Sequence, residues 1–213
     1  HLIPGHTKEV GQMGTAYIDD FEATKTNIDI HYPSYWKLAS TPRSDRYPEY
    51  SLSNNVDYNK NRALLAWYTV DPIFGKSSSN TPRHIKDNPD LMSDHRTRIV
   101  YEQEIYPNKE MLPNADPVLP ALNLSYYPEE RGPYNISAEE IGRDGKLTNP
   151  GSRWGGIMRK LDNTDFEKAN IEYIEFWLMD PFLTNPDQSF EGGDMYIDLG
   201  DVSEDILRDG RKS

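Results

Sequence analysis

Sixteen prolines and fourteen glycines, distributed through almost the whole of a 213-residue chain, cut its apolar residues into short segments. Proline removes a backbone donor and fixes φ, and glycine weakens any helix interior, so a chain punctuated in this way cannot build long helices. What remains between the breaks suits strands. The aromatic residues are mostly tyrosine, fourteen of them, a side chain that fits a pleated and half-buried surface. The expected fold is therefore mainly β, a single sandwich domain over 1–213 with short helices and long loops. Candidate strands are Ala16–Glu22, Asn27–Ile30, Trp36–Ala39, Arg62–Val70, Thr97–Ile105, Ala121–Tyr127, Trp154–Leu161, Ile171–Met179 and Asp194–Leu199.

Period-two alternation sorts these strands by burial. Ile171–Asp180 sets Ile171, Tyr173, Glu175, Trp177 and Met179 against Ile174, Phe176 and Leu178, so both faces are largely apolar and the strand is expected to be covered on both sides. Arg62–Val70 reads the same way, with Leu64, Ala66, Tyr68 and Val70 opposite Ala63, Leu65 and Trp67. Thr97–Ile105 instead separates Ile99, Tyr101 and Ile105 from Arg98, Glu102 and Glu104, the pattern of a strand with one wet face. Asp194–Leu199 alternates likewise, with Met195, Ile197 and Leu199 expected to point inward. Thr164-x-x-Glu167 and Ser137-x-x-Glu140 fit capping boxes, and Thr81-Pro82 and Ser203 could open further short helices, with Pro82 at a first helical position. Ser40–Asp57 and Pro72–Asp94 are rich in turn-forming residues and resist assignment.

Charge and composition exclude several classes of function. With 23 basic and 35 acidic residues the formal charge is −12, which opposes binding to a phosphate backbone, and nucleic acid is not an expected partner. There is no cysteine, hence no disulfide, thiolate metal site or thiol nucleophile. No apolar run approaches the roughly 20 residues of a membrane-spanning helix. His1-Leu-Ile-Pro-Gly-His6 does not read as a signal peptide, and the absence of an initiator Met suggests a piece excised from a larger chain.

Several local patterns invite a chemical reading. Gly75-Lys76-Ser77 imitates the end of a phosphate-binding loop, but the first glycine such a loop needs falls at Val70. Histidines 1, 6, 31, 84 and 95 lack the close helical spacing that aims two imidazoles at one metal, and read as loop residues. Glu175 shares a strand face with Tyr173 and Trp177, where enclosure could raise its pKa for acid catalysis, although no second carboxylate partner is identifiable. Asp19, Asp20 and Glu22 could supply oxygen ligands to calcium or point outward from an edge strand. Trp36, Trp67, Trp154 and Trp177 all lie in apolar strands, which favours core packing over stacking on a sugar ring. No catalytic, cofactor-binding or metal-binding residue is therefore assigned.

Tyr17-Ile-Asp-Asp-Phe-Glu22, with Tyr173–Met179 and Met195–Gly200, resembles the first and late strands of galactose-binding-like jelly rolls. Over nearly the whole length, the ordered set Leu2-Ile-Pro-Gly-His6, Tyr17–Glu22, Arg62-Ala-Leu-Leu-Ala-Trp-Tyr68, Tyr127-Pro-Glu-Glu-Arg-Gly-Pro-Tyr134, Arg153-Trp-Gly-Gly-Ile-Met-Arg-Lys160, Ile171–Asp180 and Gly200-x-Val-Ser-Glu-Asp-Ile-Leu207 resembles the SprA/Sov family. Members of that family are large outer-membrane proteins of the type IX secretion system, tied also to gliding motility and the cell surface. The resemblance implies a non-enzymatic soluble domain of a protein translocon, with secreted cargo proteins and other outer-membrane secretion components as partners. It transfers no catalytic residue and no cofactor. A carbohydrate-binding jelly-roll module that recognises surface glycans is the alternative, and a glycoside hydrolase trails both.

Two of these motifs also carry a physical expectation of their own. In Tyr127–Tyr134, Pro128 and Pro133 bracket Arg131-Gly132 as a rigid corner, with Arg131 offering its fork to Glu129, Glu130 or a more distant carboxylate. Trp154-Gly155-Gly156 suggests a bulge or a close backbone approach.

Overall fold

The computed structural model describes residues 2–4, 16–18, 28–75, 79–96, 98–110, 117–162, 165–166, 173–180 and 192–211. The chain divides into two compact units, one formed by His1–Asp29 with Asn163–Glu175 and the other by Ile30–Asp162 with Phe176–Ser213. Among the described residues, regular structure is mainly small antiparallel sheets with a few one-turn helices. In the first unit β1 (Leu2–Pro4) pairs with β2 (Ala16–Ile18), Ile3 facing Tyr17. The remainder of the predicted Ala16–Glu22 strand, with Asp19, Asp20 and Glu22, lies outside the described residues, as does the Thr164/Glu167 capping pair.

The second unit is organised by β4 (Ala63–Tyr68) and β7 (Asn123–Arg131), which run antiparallel with Leu65 opposite Tyr126 and Trp67 opposite Leu124. The register jumps from Ala63↔Arg131 to Leu64↔Tyr127, so Pro128, Glu129 and Glu130 bulge out of the ladder. Pro128 cannot donate to a ladder, and the bulge removes that requirement. The bulge is anchored from outside: the Glu129 carbonyl accepts the Leu147 N–H at 2.8 Å and its carboxylate takes Lys146 at 2.8 Å, where the sequence had suggested Arg131. Trp154 joins the β4 end through a parallel bridge to Arg62. Beyond it, β8 (Ile157–Met158) pairs with β3 (Lys37–Leu38), and β5 (Val100–Tyr101) pairs with β6 (Val118–Leu119). No helix among the described residues is long and apolar enough to cross a membrane.

Several strand expectations are corrected. Thr97–Ile105 yields only β5, because the backbone turns at once into α3 (Glu102–Ile105). The Glu104 carboxylate accepts the Tyr101 N–H at 2.9 Å and both arms of the Arg98 fork at 3.1 and 2.9 Å, which caps the helix start and ends the strand. Residues 28–30 form no ladder, and the Ile30 carbonyl instead accepts the Trp36 indole N–H at 2.9 Å. The described parts of Ile171–Met179 and Asp194–Leu199 belong to no strand, and Ile174, Phe176, Trp177, Met195, Ile197 and Leu199 are exposed where the alternation had placed them inside.

The expected short helices divide in the same way. Ser137-x-x-Glu140 opens no helix, since the Ser137 hydroxyl accepts the nearer Glu139 N–H and Glu140 is left-handed at φ 58°. Ser203 likewise makes a local turn to the Asp205 N–H at 3.2 Å. Thr81-Pro82 does precede α1 (Arg83–Lys86), with Pro82 as the residue before the first turn. The unassigned stretches hold short helical turns: Pro48–Ser51, Val56–Asn59, Pro72–Phe74, α1 and α2 (Pro89–Met92).

Candidate functional site

Arg62 is the organising residue of the second unit. The turn Val56–Asn59, capped by the Asn55 side chain on the Asp57 N–H, delivers the chain to β4 with Asn59 and Arg62 on its inner side, each about 1% exposed. The Arg62 Nε and Nη2 both donate to the Asn59 Oδ1, at 3.0 and 2.8 Å, and Nη2 also donates to the Ala39 carbonyl at 2.7 Å. The guanidinium lies 4.3 Å from the centre of the Trp154 ring, a cation–π contact in a desolvated setting. Its pKa is lowered to about 10, first by burial, with the phenols of Tyr58 and Tyr134 acting in the opposite direction. The charge is thus held by dipoles and a ring face. Among the described residues its Nη1 has no hydrogen-bond partner, and neither do the buried Trp154 Nε1 and Glu49 Oε2.

Three motifs that are far apart in sequence meet here. Asn135, from the Tyr127–Tyr134 corner and its next residue, donates from Nδ2 to the Lys60 and Arg62 carbonyls at 2.9 and 2.8 Å. Gly132 donates its N–H to the same Arg62 carbonyl, and a Cβ there would stand 2.3 Å from the Ala63 oxygen. Only glycine permits that approach. Arg153 closes the other side: Nη1 donates to the Lys60 carbonyl at 3.1 Å and the Asn61 Oδ1 at 3.0 Å, Nη2 to the Thr148 carbonyl at 2.7 Å and to Glu140. Next to it, Gly155 packs so tightly that a Cβ would lie 2.8 Å from the Leu65 Cβ, the close approach expected of that glycine. The C-terminal stretch is held to the same node, since Asn59 Nδ2 donates to the Ile206 carbonyl at 2.9 Å and the Arg208 carbonyl accepts the Asn54 N–H at 3.1 Å.

The polar side chains of the node are engaged with one another and with the backbone. Its two guanidiniums are donors only, and one oxygen of its buried carboxylate, Glu49, accepts from Asn61 at 2.7 Å. What the arrangement does is fasten three distant segments together through charge-assisted hydrogen bonds, which hold geometry more firmly than neutral ones.

The residues weighed for chemistry are not gathered here. Glu175 is exposed, without the enclosure by Tyr173 and Trp177 that the acid reading required. Trp36 and Trp67 are half-buried and Trp154 is buried, but Trp177 is 68% exposed, against the expectation of core packing. His31 stacks against Tyr32 with ring centres 3.8 Å apart, and His95 bonds the Asp180 carbonyl through Nε2. His1, His6, Lys76 and Ser77 lie outside the described residues, and Gly75 packs against Ile99. Among the described residues no group of three His, Asp or Glu is placed to hold a metal ion. Asn59, Asn61, Asn135 and Glu49 were missed from sequence; Asn61 and Asn135 flank the Arg62 and Tyr134 segments singled out there, and Asn59 and Glu49 carried no signal of their own.

A mainly-β protein knotted together at a buried arginine is the class these features define. No known protein-family model matches the chain, and no curated protein matches its sequence.

Proposed function

We propose that this chain is a non-enzymatic domain of an outer-membrane translocon of the SprA/Sov type, part of type IX secretion, and that it acts by contact with other proteins. In this reading the domain is a jelly-roll-like, two-layered sandwich that faces the periplasm, the barrel lumen or the cell exterior, and its partners are secreted cargo and neighbouring secretion components. The observation that carries it is the exposure of large aromatic side chains in the second unit, where Trp177 and Tyr196 stand 68% and 74% exposed while Arg62 is enclosed. Large aromatic side chains left exposed in this way mark contact surfaces. The meeting of Arg62, Asn135 and Arg153 also gives the family-like motifs a shared structural purpose, so the resemblance does not depend on any catalytic residue.

A photo-reactive residue at position 177 of the full-length protein, in its own cells, should cross-link to secreted proteins or outer-membrane secretion components. Cross-links confined to lipid or polysaccharide would overturn the reading. A second reading, recognition of surface glycans, is favoured by the same exposed Trp177 and Tyr196, since bare aromatic faces can stack on sugar rings. Saturable binding on a glycan array that is lost in Trp177→Ala would select it.

A further inference from the structure

Residues 194–199 alternate in sequence as a strand does but belong to no ladder. The alternation places Asp194, Tyr196 and Asp198 on one face and Met195, Ile197 and Leu199 on the other. Among the described residues, 195–199 make no backbone hydrogen bond, Met195, Tyr196, Ile197 and Leu199 are exposed, and Arg46, at 3.6 Å from Asp194, is the one cation paired with the acidic face. An edge of this kind is a template for an added strand, because backbone pairing supplies the binding and alternate side chains supply the selection.

The charge pattern says which strand can fill it. If a second copy paired antiparallel with Tyr196 opposite Tyr196, Asp194 would face Asp198 and the two acidic faces would coincide. Like charges directly opposite are destabilising, and a one-residue slip would set the apolar row against the acidic one. A net charge of −12 adds to the repulsion. A strand that alternates Lys or Arg with apolar residues meets both faces in a single register.

We propose that residues 194–199 form a strand-addition edge whose occupant is a basic, amphipathic strand of a partner protein. The proposal rests on the protein-contact reading above and names the chemistry of the partner. The stretch precedes Ile206, which is tied back to Asn59, so the edge is presented next to an anchored segment of the same unit.

The test uses the 213-residue chain and two synthetic decapeptides, one alternating Val with Lys and one alternating Val with Glu. The Lys peptide should bind at least about tenfold more tightly and slow amide exchange at residues 195–199, with binding weakened by salt. In Asp194→Lys/Asp198→Lys the preference should invert towards the Glu peptide. Equal binding of the two peptides, protection elsewhere in the chain, or protection of 195–199 by self-association without peptide would each overturn the proposal. Should the double variant fail to fold, the paired peptides and the exchange map on the unaltered chain still decide. Failure here together with protein cross-links from position 177 would reject the edge and leave the protein-contact reading in place.

Discussion

Around Arg62 the molecule encloses charge within a hydrogen-bonded node, whereas among the described residues 195–199 expose apolar side chains and leave their backbone unpaired. The two regions invert the usual arrangement of polar outside and apolar inside, and for a shared reason. A guanidinium can be buried where carbonyls, amides and an indole face are already gathered by distant chain segments. A strand with apolar residues stays exposed where no neighbouring strand is at hand to receive it. One region spends its interactions within the unit and the other keeps them available.

This contrast is sharpened most by breaking the node. Arg62→Ala should destabilise the fold by about 3 kcal/mol, since it strands the Asn59 amide oxygen and the Ala39 carbonyl in a buried setting, and urea midpoints would measure it. A value under about 1 kcal/mol would mean that the buried charge contributes little net stability, as can happen for buried ions. Gly155→Ala should cost about 1–3 kcal/mol through its clash with Leu65 and the Tyr126 ring, while Gly151→Ala, with no atom within 4 Å, should be close to neutral. If both were neutral, the close packing of the Trp154-Gly155 segment on β4 and β7 would be wrong. Glu104→Ala should cost about 1 kcal/mol by removing the α3 cap and the Arg98 fork together, read from the same midpoints.

The pH dependence on the alkaline side should show two opposing contributions. Burial, aided by the nearby Tyr47, pushes the Tyr126 phenol up to about 12 from an ordinary 10.0, so the unfolded chain ionises first and stability falls between those values. Arg62 has the opposite sign: its folded pKa of about 10 lies below the ordinary guanidinium value, so the unfolded chain keeps the proton longer and stability rises with pH above about 10. Denaturant midpoints from pH 9 to 11 should therefore fall less in Tyr126→Phe than in the unaltered chain. An equal or steeper fall would remove Tyr126 from the account. The smallest effect is expected at the other pole, where Trp177→Ala should change stability by less than about 0.5 kcal/mol, as exposed substitutions do. A large loss of stability there would mean that Trp177 is packed in the folded chain, and the contrast between the two regions would collapse.

The ladders that follow from local pattern were legible in the sequence. β4 falls within Arg62–Val70, β3 within Trp36–Ala39 and β8 within Trp154–Leu161, because short apolar runs between breakers favour strands whatever their neighbours. The failures share a cause. In Thr97–Ile105 the period-two pattern was real, but the Glu104 cap and the Arg98 fork turned the chain after two strand residues. In 194–199 the alternation was also real, and what was lacking was a partner, which no count along one strand can supply. The node was invisible for a related reason: Asn59 and Asn135 read as ordinary turn residues until 73 residues of separation are closed and Asn135 reaches the Arg62 carbonyl.

The amino-acid sequence by itself determined that the chain is mainly β with short helices, that it is acidic, and that the backbone makes a close approach at Trp154-Gly155. Those properties rest on local sterics and composition. Which residues are buried was decided only in the tertiary structure, where the enclosure of Arg62 and the exposure of Trp177 both reverse what hydropathy dictates. Burial depends on what the rest of the chain brings alongside: Arg62 is met by Asn59, the Ala39 carbonyl and the Trp154 ring, and Trp177 is left uncovered.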